Sequence, residues 1–114
     1  MEKKDHLYIL WTNGDPITAE KMVFMYAVNS LRKGWWEKVT LIIWGAPAKL
    51  SAENREIQQK IKEALDAGVY VTACKACADQ VGATEVLEKI NVEVKYWGEP
   101  LTGILKSGKA LLTI

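Results

Sequence analysis

The stretch Val39-Thr40-Leu41-Ile42-Ile43-Trp44 decides the fold class of this 114-residue chain. It is rich in β-branched residues and apolar at successive positions, so both of its faces suit burial. A strand hidden on both sides belongs inside a layered α/β domain, where helices cover a parallel sheet. Working outward, residues 7–11, 69–73 and 110–114 are further short apolar runs of the same kind. Residues 92–97 set Val92, Val94 and Tyr96 against Glu93 and Lys95, the alternation of a more exposed strand.

Helical signals fill the gaps. Asp15 before Pro16 is a good helix start, because a carboxylate caps free N–H groups and proline suits the first turn. That helix is predicted to run to about Lys33 and stop at Gly34, and it is apolar almost all round from Met22 to Val28. Ser51 is read as the cap of a second helix, in which Ile57, Ile61, Ala64 and Leu65 repeat at helical spacing. A short helix is predicted from Cys74 to Val81, closed by Gly82. Thr84 is read as the cap of another, with Val86, Leu87 and Ile90 inward and Asn91 ending it, and Leu101, Ile104 and Leu105 mark the last. Strand and helix alternating at this spacing imply right-handed crossovers. The expected architecture is one α/β domain over residues 1–114, three-layer α/β/α, with a mainly parallel five-stranded sheet and the general plan of flavodoxin-like folds.

Composition narrows the function classes. Hydrophobic residues make up 49% and charged residues 25%, the balance of a globular chain able to bury a core without metal or disulfide staples. The net charge of +1 is spread along the chain, so no basic tract argues for nucleic acid. No run approaches the ~20 apolar residues of a membrane span, and the opening residues Met1 to Asp5 run straight into a strand without a signal-peptide pattern. A cytoplasmic protein with reduced thiols is the expectation, with no membrane and no nucleic-acid partner.

Three strand ends share one punctuation. Trp11 precedes Gly14 and Pro16, Trp44 precedes Gly45 and Pro47, and Trp97 precedes Gly98 and Pro100. In a parallel sheet these strand ends face one edge, the usual ligand edge of open α/β proteins. Cys74 ends the third strand and is expected at the same edge. The expected site is therefore a thiol among Trp-bearing loops, with Asn13, Asp15, Trp44, Lys75, Trp97 and Glu99 as substrate-binding candidates. The plainer reading is that the tryptophans plug strand ends as core residues.

Cys74-Lys75-Ala76-Cys77 carries the chemistry. The thiolate is the nucleophilic form of cysteine, and a helix N-terminus together with a neighbouring lysine favours an anion. Cys77 lies about one turn on, near enough to assist, to resolve an adduct or to close a disulfide. The alternative is two buried cysteines acting as small apolar residues. Structural zinc wants four ligands, and the chain offers these two cysteines plus His6 at the far end, so no metal is expected. No cofactor is expected either: dinucleotide and P-loop motifs are missing, and Thr12-Asn13-Gly14-Asp15 makes a poor flavin phosphate loop. Thioredoxin-like redox chemistry ranks second, since here the pair follows the third strand rather than an early one.

The order of elements, and Val71-Thr72-Ala73-Cys74-Lys75-Ala76-Cys77-Ala78-Asp79-Gln80-Val81-Gly82 in particular, resemble the DsrE/DsrF-like family. In that pattern a cysteine ends the third strand, eight residues before a glycine that closes a short helix, and Cys74 and Gly82 hold those places. Some members carry a second cysteine where Cys77 stands. The resemblance covers nearly the whole chain. It implies a compact α/β/α subunit that assembles into homo- or hetero-oligomers, often trimers or hexamers. It also implies a possible sulfurtransferase role, in which Cys74 accepts sulfur as a persulfide, Cys77 assists or resolves, and donor and acceptor proteins complete a relay.

Trp35-Trp36 bears on the oligomer independently. It follows a helix apolar all round, in a chain too short to cover every apolar surface. Either these rings mark an interface or they fold back over the second strand. The functional alternative to sulfur transfer is a non-catalytic oligomeric module, binding a small ligand at the Trp-rimmed edge or serving as a scaffold.

Overall fold

A computed structural model describes residues 5–114; the lead Met1 to Lys4, read as running into the first strand, lies outside the described residues. Five strands, β1 (His6–Trp11), β2 (Lys38–Ile43), β3 (Tyr70–Cys74), β4 (Glu93–Lys95) and β5 (Ala110–Thr113), form one sheet in the order β4-β3-β2-β1-β5. Every pairing is parallel, with Leu7 opposite Val39, Leu41 opposite Val71, Cys74 opposite Lys95 and Tyr8 opposite Leu111. The expected α/β/α architecture is the observed one.

The layers are unequal, and the strand order explains why. From β1 to β4 each strand is laid beside the last in one direction, so right-handed crossovers send every intervening helix to the same face. Only the step from β4 back across the sheet to β5 runs the other way. It places α7 (Gly98–Lys106) alone on the second face. The first face is a full core: Ile9, Trp11, Leu41, Ile43 and Val71 of the sheet pack under Phe24, Ile57, Ile61 and Leu87. Each such large apolar side chain contributes about 1.5–3 kcal/mol by leaving water. The second face leaves His6, Tyr8, Leu10, Tyr70 and Leu111 partly uncovered, with the His6 ring stacked on Tyr8 at 4.0 Å and hydrogen-bonded to Thr40 (2.7 Å).

The first helical segment spans 16–32, as expected, but changes character inside. α1 (Pro16–Thr18) opens it, Ala19–Phe24 is a π-helix, and α2 (Met25–Arg32) completes it. The Asp15 carboxylate caps the start, accepting from the Thr18 N–H and hydroxyl, both at 2.9 Å. The wider π turn brings the adjacent Val23 and Phe24 both into the core, where Phe24 meets the Trp11 ring edge-on at 5.3 Å. Propensity along the sequence carries no sign of that turn.

Several local expectations are corrected. Ser51 does not cap a helix: it lies buried inside α3 (Ala46–Glu53), and the next helix, α4 (Arg55–Asp66), is capped by Asn54, whose Oδ1 accepts from the Ile57 N–H (3.1 Å). Both residues are good caps, and the one at the actual chain break between α3 and α4 wins. Thr84 opens α6 (Thr84–Lys89), but its hydroxyl is turned to Asp79 instead of the helix end. β4 stops at Lys95, so Tyr96 is 66% exposed rather than inward. Trp36 packs against the core and donates to the Tyr26 hydroxyl (3.3 Å), whereas Trp35 is 56% exposed and does not fold back with it.

The caps yield a direct check by urea denaturation. Asn54→Ala is expected to destabilise the protein by about 1 kcal/mol. Ser51→Ala, which removes a buried hydroxyl that has no hydrogen-bond partner, is expected to cost less than Asn54→Ala or to stabilise.

Candidate functional site

The end of β3 positions the cysteines. Val71 and Ala73 point to the full core, so the period of two puts Tyr70, Thr72 and Cys74 on the second face. Cys74 is the last residue of the strand and, with extended φ and ψ of −69° and 118°, also the N-cap residue of α5 (Lys75–Gln80). Gly82, at φ +69°, ends the following turn in the left-handed region that glycine tolerates best. That conformation gives a physical reason for a glycine eight residues after Cys74.

Cys74 is only 4% exposed and sits in the second-face cluster with Ile42, Trp97 and Ile104, against which Trp44 and Cys77 pack. Cys77 is half-buried. It packs against the cluster that holds Cys74, and the Gly45 backbone approaches it from the loop after β2. Burial pushes the Cys77 thiol above its ordinary pKa, and the nearby Cys74 pushes the same way, against the smaller downward pull of Gly45. Gly45 has φ +83° and ψ −129°, a backbone shape that only glycine adopts without strain. The outcome is two free cysteines packed together, the inner one at a strand end and the outer one with its thiol pKa raised.

The other expected site residues divide. Trp44 belongs to the wall around the cysteines, and Trp97 lies 4% exposed in the same cluster. Trp97 is not an open rim: its Nε1–H donates to the Thr72 hydroxyl (2.8 Å), which in turn donates to the Glu93 carbonyl (2.7 Å). Lys95 lies over the Trp97 ring at 4.7 Å. Trp11, grouped with these by its punctuation, is fully buried on the opposite face. Asn13 and Asp15 bond within their own turn, with Asn13 Oδ1 accepting from the Asp15 N–H (2.7 Å) and Asp15 capping α1. Their loop touches the β2 loop instead: a Cβ on Gly14 would stand 3.1 Å from that of Ala46. Glu99 is exposed in the first turn of α7.

Lys75 is turned outward. Its ammonium pairs with Asp79 (3.0 Å), and that carboxylate also accepts from Thr84. The pairing raises the Lys75 pKa, while the Thr84 bond and Lys75 lower that of Asp79. The charge expected to assist the thiol is thus engaged along the helix. Sequence reasoning missed Thr72, although a polar residue two places before Cys74 in an apolar strand is a same-face signal. It also missed Lys95, whose place beside Cys74 follows only from the strand register.

Among the described residues, no group of three or more His, Cys, Asp or Glu could hold a metal ion, and no helix is long and apolar enough to cross a membrane.

The comparisons bear on this arrangement. Over 96% of the chain and 95% of its counterpart, the structure matches a conserved protein of unknown function, BT1422 from Bacteroides thetaiotaomicron, at 39% identity and a TM-score of 0.94. The chain belongs to the family of BT1422. The ychN protein from E. coli matches over 98% of this chain and 100% of its own at 16% identity, with a TM-score of 0.73. That likeness shows a shared DsrE-like fold and nothing of activity. No protein-family model and no curated protein matches the chain.

If Trp97 is the wall that keeps Cys74 from solvent, Trp97→Ala will raise the alkylation rate of Cys74 several-fold and destabilise the fold by about 3–5 kcal/mol. Peptide mapping after timed iodoacetamide treatment checks the first, and denaturant titration the second.

Proposed function

We propose that the protein carries sulfane sulfur as a persulfide on Cys74 and hands it to an acceptor, a sulfurtransferase-type relay step. The observation that carries this reading is the pair of free cysteines packed together at the end of β3, the inner one at a helix N-cap. A thiolate at Cys74 attacks the outer sulfane sulfur of a donor, whose bond to that sulfur breaks as the rest of the donor leaves as an anion; an acceptor thiolate later attacks the terminal sulfur and releases the Cys74 thiolate. Cys77, as a protonated neighbour, donates its S–H to the anionic sulfur. Trp97 and the cluster around it shield Cys74 from bulk water, which protects a persulfide there from stray thiols. The DsrE-like fold is consistent with this reading. Asn13, Asp15, Lys75 and Glu99 line the same sheet edge and are proposed as contacts for the donor or acceptor protein.

The thinly covered second face supports assembly into a homo-oligomer, a trimer or hexamer. Tyr8, Leu10 and Tyr70 are partly uncovered there, and Leu105 of α7 is 60% exposed. The same surface supports the second reading, a non-catalytic oligomeric module.

Intact mass after exposure of reduced protein to polysulfide separates the two. Sulfur is expected to add to wild type, to be removed by reductant, and to be lost in Cys74→Ser. Undiminished loading in Cys74→Ser would overturn the carrier reading, as would wild type that takes up no sulfur while its thiols alkylate slowly. Light scattering on the same samples is expected to give a trimer or hexamer, and a monomer would overturn the assembly.

A further inference from the structure

Cys77 packs against the cluster that holds Cys74, one helical turn away, and this has a chemical consequence for a loaded carrier. When Cys74 bears a persulfide, its inner sulfur remains bonded to Cβ at the N-cap of α5, and Cys77 is the thiol beside it. The inner sulfur of a persulfide is an electrophile, and hydrosulfide is a good leaving group. We infer that Cys77 discharges the carrier: resting on the persulfide reading, its sulfur attacks the inner sulfur of the Cys74 persulfide, closes a Cys74–Cys77 disulfide and expels hydrosulfide.

The step balances without an outside oxidant. The Cys77–Cys74 S–S bond forms as the bond between Cys74 Sγ and the terminal sulfur breaks. The terminal sulfane sulfur is reduced to sulfide, and the two cysteine sulfurs are oxidised to a disulfide. The Cys77 proton passes to the departing terminal sulfur, so that an ionised persulfide plus a thiol becomes a disulfide plus hydrosulfide. A C-x-x-C segment starting at a helix N-cap is a spacing at which such a disulfide closes.

The surroundings of Cys77 make this discharge slow at neutral pH. β3 presents the Cys74 sulfur and the loop after β2 presents the Gly45 backbone. On its own helix, Lys75 and Asp79 pair with each other. On β4, Lys95 lies over the Trp97 and Tyr70 rings and near Glu93. From α6, Thr84 bonds Asp79 and Glu88 acts on Lys75, and the charged residues of α3, Lys49 and Glu53, are exposed. Burial and the neighbouring sulfur therefore hold Cys77 as a thiol, the unreactive form. The persulfide persists long enough for an acceptor to take it, and discharges when none arrives. Cys77 thereby sets the lifetime of the charged state.

The test follows sulfide release and intact mass after polysulfide-loaded protein is desalted, across pH 6.5 to about 9, in wild type, Cys77→Ser and Cys77→Ala. Wild type is expected to release sulfide and end lighter than the reduced protein by a pair of hydrogens. A persulfide is a stronger acid than a thiol, so as the Cys77 thiolate fraction grows the protonated persulfide fraction falls, and the rate should vary little across this range. Both variants are expected to keep their sulfur over the same interval and to form no intramolecular disulfide. Equal discharge rates in wild type and both variants would overturn the inference while leaving the carrier reading intact, as would release without the disulfide. Failure of wild type to load at all would sink the carrier reading, and this inference with it.

Discussion

The arrangement of this molecule hangs on the handedness of its crossovers. Four strands added in one direction commit every connecting helix between them to one face, because a right-twisted strand and a right-handed helix pack back onto a sheet in only one sense. The first face is thereby filled by the π segment, α2, α4 and α6, and the second receives α7 alone. The same strand that must be apolar on both sides, β2, thus contributes Leu41 and Ile43 to a deep core and Ile42 to a thin one. The cysteine pair lies on the thin side, where one helix and two tryptophans are its only cover of any depth among the described residues.

That imbalance connects fold to chemistry. Cys74 is buried by Ile42, Trp97 and Ile104, not by the main core, so its protection depends on how firmly α7 is anchored. The anchor is polar as well as apolar. Trp97 is pinned by the Thr72 hydroxyl, and Thr72 by the Glu93 carbonyl, a chain of bonds linking β3, β4 and the start of α7. A buried indole N–H without such a partner would carry a desolvation cost, as the Trp11 Nε1 does on the other face, where it has none. Satisfying Trp97 and leaving Trp11 orphaned distinguishes a wall built beside the thiols from a residue used purely for packing volume.

The two cysteines, adjacent in sequence pattern, are unlike in environment. The inner one ends a strand within a nearly closed cluster, and the outer one, on the first turns of α5, is half-buried and held protonated by its neighbour and its burial. The cation that would be credited with lowering a thiol pKa, Lys75, is instead engaged by Asp79 four residues on. The raised pKa of Cys77 comes first from desolvation and then from the neighbouring Cys74.

The chain's own pattern was sufficient for the α/β class, the positions of all five strands to within a few residues, the Asp15 cap and the glycine that closes the turn after Cys74. Each is a local rule: a doubly apolar β-branched run, a carboxylate before proline, a positive φ. Period two along β3 also puts Thr72 and Cys74 on one side. What the sequence could not supply is long-range. Ser51 and Asn54 are equally good caps by propensity, and only the break between α3 and α4 chose Asn54. Trp11, Trp44 and Trp97 share one punctuation, yet one is core and two flank the thiols, because strands of the same sheet point their last residues to different faces. Strand order decided which face stayed thin, and register decided that Lys95 stands beside Cys74. Those outcomes depend on pairings between residues distant along the chain, which no window of local propensity contains.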